Sequence, residues 1–352
     1  MDLGLRGAAA VVAGGSRGMG RATAELLAAE GCRVAVLARS EPDLRDAEAG
    51  LRARGAPDVL ALRADLLVAA DVEAAFATVG RRWGALNALV CAAGPTSAGT
   101  LEELSDADWL HAFDEGVLGA VRCVRAALPL LRKARFARIV TLGATSTRHQ
   151  NPRLIGYTAA KAALVSVSKN LARSLAPEGM VVNCVCPGWV LTPSVAAHLR
   201  AMAAQAGLDP DDVAGAYRLG AASYGAANDL GRIGRPEEVA VVAALLCSPL
   251  AGFTLGATIP VDGGTDFFLG ADGGSCRLFS VEGDELERSV ARTSGRRRLR
   301  DGGRVQRRFQ VILQVAVDDG KRRGARPRAP MRGRVALDSP LDHSGQLDLV
   351  LD

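Results

Sequence analysis

A short apolar run, Ala8-Ala9-Ala10-Val11-Val12-Ala13, breaks into Gly14-Gly15-Ser16-Arg17-Gly18-Met19-Gly20, and a helix-forming stretch follows over Arg21 to Glu30. No other feature constrains the fold as much. A strand that leaves through glycines into a helix is the phosphate-binding arrangement of a dinucleotide fold. Glycines turn tightly and let the backbone approach a pyrophosphate, while the helix start offers free N–H groups. The spacing is G-x-x-x-G-x-G rather than the commoner G-x-G-x-x-G. A glycine turn alone is weak evidence; the flanking strand and helix give it weight.

The same alternation continues. Cys32 to Ala38, Val59 to Leu62, Leu86 to Val90, Arg138 to Gly143, Val181 to Cys186 and Ala257 to Val261 read as strands. Helices are expected at Asp71 to Gly80, at Ser105 to Leu131 with Ser105 as cap, around Tyr157, and at Pro236 to Cys247 with proline in the first turn. Residues 193–229 form a longer Ala-rich connection, broken at Gly207-Leu208-Asp209-Pro210. Aromatics are scarce at 4% while hydrophobic residues reach 49%, which suits short buried strands and Ala-rich helices. The expected fold is α/β: one Rossmann-type, doubly wound parallel sheet with helices on both faces. It spans 1–265, with a basic extension over 266–352.

The second strand ends at Arg39-Ser40, where an acidic residue would bind the ribose hydroxyls of NAD. Arg39 stands there instead, and Arg17 lies in the glycine turn. Two guanidinium groups converging on the adenosine ribose suit a 2′-phosphate, which points to NADP(H).

Tyr157 and Lys161 sit four apart in the helix-like run Gly156-Tyr157-Thr158-Ala159-Ala160-Lys161. Residues i and i+4 share a helix face. A free tyrosine has a pKa of about 10 and exchanges protons poorly near neutrality. A nearby cation favours the phenolate, and a shift of about three units needs roughly 4 kcal/mol. The pair is therefore expected to act as a general acid and base on an alcohol or carbonyl. An isolated Tyr and Lys at this spacing reads more simply as a packed ring and a solvated charge, so the rest of the chain carries the argument.

Taken in order, Gly14…Gly18…Gly20, Asp65, Ala93-Gly94, Tyr157…Lys161, Asn183…Pro187-Gly188 and Val261-Asp262-Gly263-Gly264 make residues 3–265 resemble a short-chain dehydrogenase/reductase. The wording of Pro187-Gly188-Trp189-Val190 and Gly231-Arg232-Ile233-Gly234-Arg235-Pro236 is most similar to the 3-oxoacyl-(acyl-carrier-protein) reductase branch. The resemblance implies roles. Tyr157 would donate and accept the proton. Lys161 would lower its pKa and hold the nicotinamide ribose. Gly14, Ser16, Arg17, Gly18 and Met19 would hold phosphates, and Asp65 and Leu66 would meet the adenine. Ala92 would lie against the cofactor, with Val190 and Thr192 at the carboxamide. A small-molecule ketone or alcohol, free or carrier-bound, is the implied substrate, and a homodimer or homotetramer the implied assembly.

The sequence departs from the family at three places. Ala144 stands where the family has a serine that orients the carbonyl, with Thr145 and Ser146 immediately after it. Gly116 stands where an asparagine orders a relay water. Cys91-Ala92-Ala93-Gly94 replaces Asn-Asn-Ala-Gly. Losing one oxyanion donor typically slows an enzyme ~10²–10³-fold. Two readings follow: an NADP(H)-dependent ketone reductase, preferred because Tyr157 and Lys161 are intact, or a catalytically weak NADP(H)-binding protein.

Of the charges, 17 Lys and Arg against 13 Asp and Glu follow residue 265, leaving 26 against 25 before it. The basic balance belongs to the extension, which reads as disordered rather than as a nucleic-acid-binding arm. The seven cysteines are scattered, without C-x-x-C, and read as buried reduced thiols rather than metal ligands. With neither a leader pattern nor a membrane-length apolar run, the expected setting is the cytoplasm.

Overall fold

The computed structural model describes residues 2–95, 98–209, 211–224 and 227–265. The chain divides into units 1–277 and 278–352, and every described residue lies in the first. The basic extension expected over 266–352, and the disorder expected of it, therefore lie outside the described residues.

The strands are β1 (Ala9–Ala13), β2 (Arg33–Ala38), β3 (Val59–Arg63), β4 (Ala88–Cys91), β5 (Ala137–Leu142), β6 (Met180–Pro187) and β7 (Thr258–Val261). They form one seven-stranded sheet in the order β3-β2-β1-β4-β5-β6-β7, parallel at every pairing. Each crossover from strand to parallel strand needs a connection over a face, which the helices supply. These are α1 (Gly18–Ala29), α2 (Glu41–Ala53), α3 (Ala69–Trp83), α4 (Asp106–Phe113), α5 (Gly119–Leu131), α6 (Ile155–Leu175), α7 (Pro193–Gln205), α8 (Val213–Tyr224) and α9 (Pro236–Cys247).

Side chains alternate across a strand, and β1 shows why its sequence is apolar throughout. Ala10 and Val12 join a core with Leu27 of α1, Leu51 of α2 and Val239 of α9. Ala9, Val11 and Ala13 join the opposite core with Phe76 of α3, Val124 of α5 and Leu164 of α6. At the far edge, Asn183 is fully buried; it donates to Thr254 O at 2.6 Å and accepts from Ala257 N at 2.9 Å. That clamp fixes the turn leading into β7.

The structure refines the sequence reading in four places. Helix α1 starts at Gly18 rather than Arg21. Helix α2 occupies a stretch left unassigned, although its signals are local: Ser40 caps it by accepting from Asp43 N, and Leu44, Ala47 and Leu51 are buried. The helix expected over 105–131 is three consecutive pieces, because a π-turn at Asp114–Leu118 separates α4 from α5. Ser105 caps α4 as expected, in a reciprocal box with Asp108. The connection 193–229 contains α7 and α8, packed with Trp189 around Leu199, Ala203 and Ala216. Among the described residues, no helix is long and apolar enough to cross a membrane.

Candidate active site

The strand order reverses between β1 and β4, and ligands of doubly wound sheets sit at such a switch, beyond the strands' carboxyl ends. A cleft of 390 Å³ opens there. It is lined by Gly14, Ser16, Arg17, Gly18 and Met19 after β1, Arg39 after β2, and Asp65 and Leu66 after β3. Ala92 after β4 and Thr192 after β6 complete it. Val190 is placed elsewhere: it is buried and lines a separate 260 Å³ cavity with Trp189 and Gly234.

The glycine turn is built for close backbone approach. Gly14 has φ +80°, and a Cβ on it would come within 2.7 Å of Ala93 N. A Cβ on Gly20 would overlap Gly14 O. The turn therefore stays flat against β4, and the first N–H groups of α1 stay open to the cleft side. This cradle fits a dinucleotide pyrophosphate.

Helix α6 carries the candidate chemistry. Tyr157 is partly exposed, whereas Lys161 is buried at 4% exposure. Lys161 Nζ donates to Leu142 O at the end of β5 at 2.7 Å, and stands 5.9 Å from the centroid of the Tyr157 ring. Gly94, which lines the cleft, meets the same ammonium; a Cβ there would lie 2.6 Å from Nζ. Lys161 thus stands behind Gly94 with the Tyr157 ring beside its ammonium, although neither side chain lines the cleft itself.

The electrostatics differ from the sequence expectation. Burial pushes the Tyr157 phenol up to about 12, and Cys186 adds to the rise. Burial pulls Lys161 down to about 8, opposed by the thiols of Cys184, Cys186 and Cys91. The four-residue spacing puts both on one face, and the ammonium lies over the ring and against Leu142 O. Cys184 Sγ and Cys186 Sγ lie 4.0 Å apart on one side of β6. The six described cysteines are buried and free.

Ala144 is buried at the exit of β5, with no hydroxyl of its own. Neither neighbour simply replaces the serine. Thr145 Oγ1 is committed to Cys186 O at 3.1 Å, and Ser146 Oγ accepts from Thr158 Oγ1 at 3.2 Å. Gly116 sits in the π-turn, where a Cβ would press on Ala160 Cβ at 3.0 Å and Pro95 Cδ at 3.1 Å. That seat has no room for an asparagine unless the packing around it moves.

A family model described as enoyl-(acyl carrier protein) reductase matches residues 13–266. The chain belongs to the short-chain dehydrogenase/reductase family. Short-chain reductase protein NovJ of Streptomyces niveus is 35% identical over 255 residues, covering 72% of this chain and 92% of that protein. The 3-oxoacyl-(acyl-carrier-protein) reductase FabG of Salmonella typhimurium is 32% identical over 260 residues, covering 74% of this chain and 98% of the relative. The solved L-sorbose reductase of Gluconobacter frateurii, complexed with NADPH and L-sorbose, aligns with a TM-score of 0.71 at 30% identity. That alignment covers 76% of this chain and all of the other, 100%. Within this family the chain is an oxidoreductase.

Membership sharpens the departure at Ala144. Its extended backbone (φ −159°, ψ 148°) accepts serine without strain. Ala144→Ser is expected to raise ketone turnover by about 10²-fold, the lower end of what one oxyanion donor supplies. Steady-state rates of both proteins on one ketone check this. A rate that falls would show the site is already organised around Ala144. Two charged cleft residues escaped the sequence reading, Asp43 and Glu115. They come from α2 and the π-turn, and only the tertiary fold brings them to the arginines.

Proposed function

We propose that this chain reduces the 3-oxo group of an acyl thioester or a polyketide-like ketone with NADP(H), or runs the reverse oxidation of the matching secondary alcohol. NADP(H) is the cofactor and supplies or takes the hydride. The carrying observation is the placement of the Lys161 ammonium beside both the Tyr157 ring and Gly94, which lines one end of the cleft. As negative charge develops on the carbonyl oxygen, Tyr157 Oη donates its proton. A phenol at about 12 still gives its proton readily to an alkoxide and stays fully protonated near neutrality, which favours the reductive direction. Lys161 holds positive charge beneath the site and the nicotinamide ribose above it. Gly14, Ser16, Gly18 and Met19 cradle the phosphates, Asp65, Leu66 and Ala92 the adenosine side, and Thr192 the carboxamide. Arg17 and Arg39 face the 2′-phosphate.

A second reading is favoured by Ala144 and Gly116: a slow member of the family that binds NADP(H) and acts through its interfaces. In either case residues 1–265 form the functional domain, 266–352 an extension, and the protein works as a cytoplasmic homodimer or homotetramer.

The test is NADPH oxidation by the full-length chain with 3-oxoacyl thioesters, cyclic ketones and a 2-enoyl thioester. Turnover of a 3-oxoacyl thioester, with none of the enoyl compound, is the expected outcome. NADPH binding without consumption across the panel would move the assignment to the second reading.

A further inference from the structure

Both arginines that face a 2′-phosphate are already engaged, each by a carboxylate lining the same cleft. Arg17 Nε lies 3.2 Å from Asp43 Oδ2, and Arg39 Nη1 lies 3.9 Å from Glu115 Oε1. The Glu115 side chain is 16% exposed, whereas those of Arg17 and Arg39 are 68% and 66% exposed. Glu115 also faces His111 Nε2 at 3.6 Å on its outer side.

The placement of the second pair matters. Arg39 leaves the end of β2, and Glu115 stands in the π-turn that follows β4. In the sheet β1 lies between those two strands. The pair therefore joins two walls of the cleft that the glycine turn also lines. Two guanidinium groups and two carboxylates sum to zero charge where a phosphate dianion is to bind. Exposed ion pairs are weak, so each arginine can leave its carboxylate for a phosphate. The carboxylates stay behind and repel that phosphate. Glu115 repels it more, because a largely buried charge is screened less by salt than an exposed one. A cofactor without the 2′-phosphate meets neither effect.

We infer that Glu115, with Asp43 in a lesser part, is a specificity-determining residue that narrows the margin by which NADP(H) is preferred over NAD(H). The inference rests on the reading that this cleft holds NADP(H) through Arg17 and Arg39. It sets Glu115 apart from a residue that merely braces Arg39 in place, since the two roles change affinity in opposite directions.

Dissociation constants for NADPH, NADH and adenosine 2′,5′-bisphosphate, from fluorescence titration and calorimetry on full-length protein, decide it. Glu115→Gln is expected to tighten NADPH and the bisphosphate about ten-fold and to change NADH less than two-fold. Asp43→Asn is expected to tighten the same two ligands about three-fold, and gives a second reading should Glu115→Gln melt early. Weaker or unchanged NADPH binding in Glu115→Gln, or equal tightening of NADPH and NADH, overturns the inference while leaving the cofactor reading in place. Wild-type protein that binds none of the three ligands overturns both.

Discussion

Tyr157→Phe is expected to lower ketone reduction by about 10³-fold while leaving the dissociation constant for NADPH within about two-fold of wild type. A positioned general acid contributes ~10²–10⁴-fold, and this substitution removes only the hydroxyl. The ring stays, and with it the cation–π contact to Lys161 at 5.9 Å. The glycine turn and the arginines, on other elements, are untouched. Single-turnover rates with preformed protein–NADPH complex separate chemistry from binding. A variant that keeps more than a tenth of the wild-type rate removes Tyr157 from the proton step and leaves the carbonyl oxygen to another donor.

Lys161→Met is expected to cost about 10²-fold or more in turnover and to expose what the buried ammonium costs the fold. Lys161 titrates near 8 in the folded protein, below its ordinary 10.5. Below pH 8 it is charged in both states, and the folded state bears the desolvation. As pH rises through 8 the folded chain releases the proton first, so the unfolded chain binds more protons and stability rises with pH. The gain is complete near 10.5. In the comparison with Lys161→Met the titration of Tyr157 is common to both proteins. Urea unfolding should therefore show wild type gaining about 2 kcal/mol on the variant between pH 7 and pH 10. A difference that is flat with pH would mean that Lys161 keeps a solvated ammonium, against its 4% exposure.

The parts of the molecule legible in the sequence are those fixed by neighbours along the chain. The apolar run 8–13, the glycine turn and the helix behind it determine one another locally, and the structure keeps all three. Ser105 and Pro236 announce helix starts by their own chemistry. Helix α2 was just as readable, with Ser40 as cap and Pro42 in its first turn, but a charged surface helix offers little apolar signal. The alternation of strands and helices implied a parallel sheet; the register and the strand order come from packing on both faces. The site was legible as a set of residue types, not as a set of contacts. Spacing puts Tyr157 and Lys161 on one helix face, yet it cannot say that Nζ ends on Leu142 O. It could not show that Thr145 turns to Cys186 O, or that Ser146 pairs with Thr158, because β6 and α6 supply those partners. Charges that meet across the cleft, Arg39 with Glu115, lie far apart in the chain and leave no local pattern.

The π-turn at Asp114–Leu118 has a consequence for how such a site changes over generations. A π-turn holds one residue more than the helix around it, so it is a stored insertion. Loss of a single codon there would close the bulge, leaving the flanking helices in phase and reassigning the positions within 114–118. Glu115 would leave the reach of Arg39, and the seat that Gly116 fills against Ala160 and Pro95 would pass to another side chain. One in-frame deletion would thus change the partner of Arg39 and the packing against Ala160 and Pro95 together, a change that point substitutions would have to assemble in separate steps.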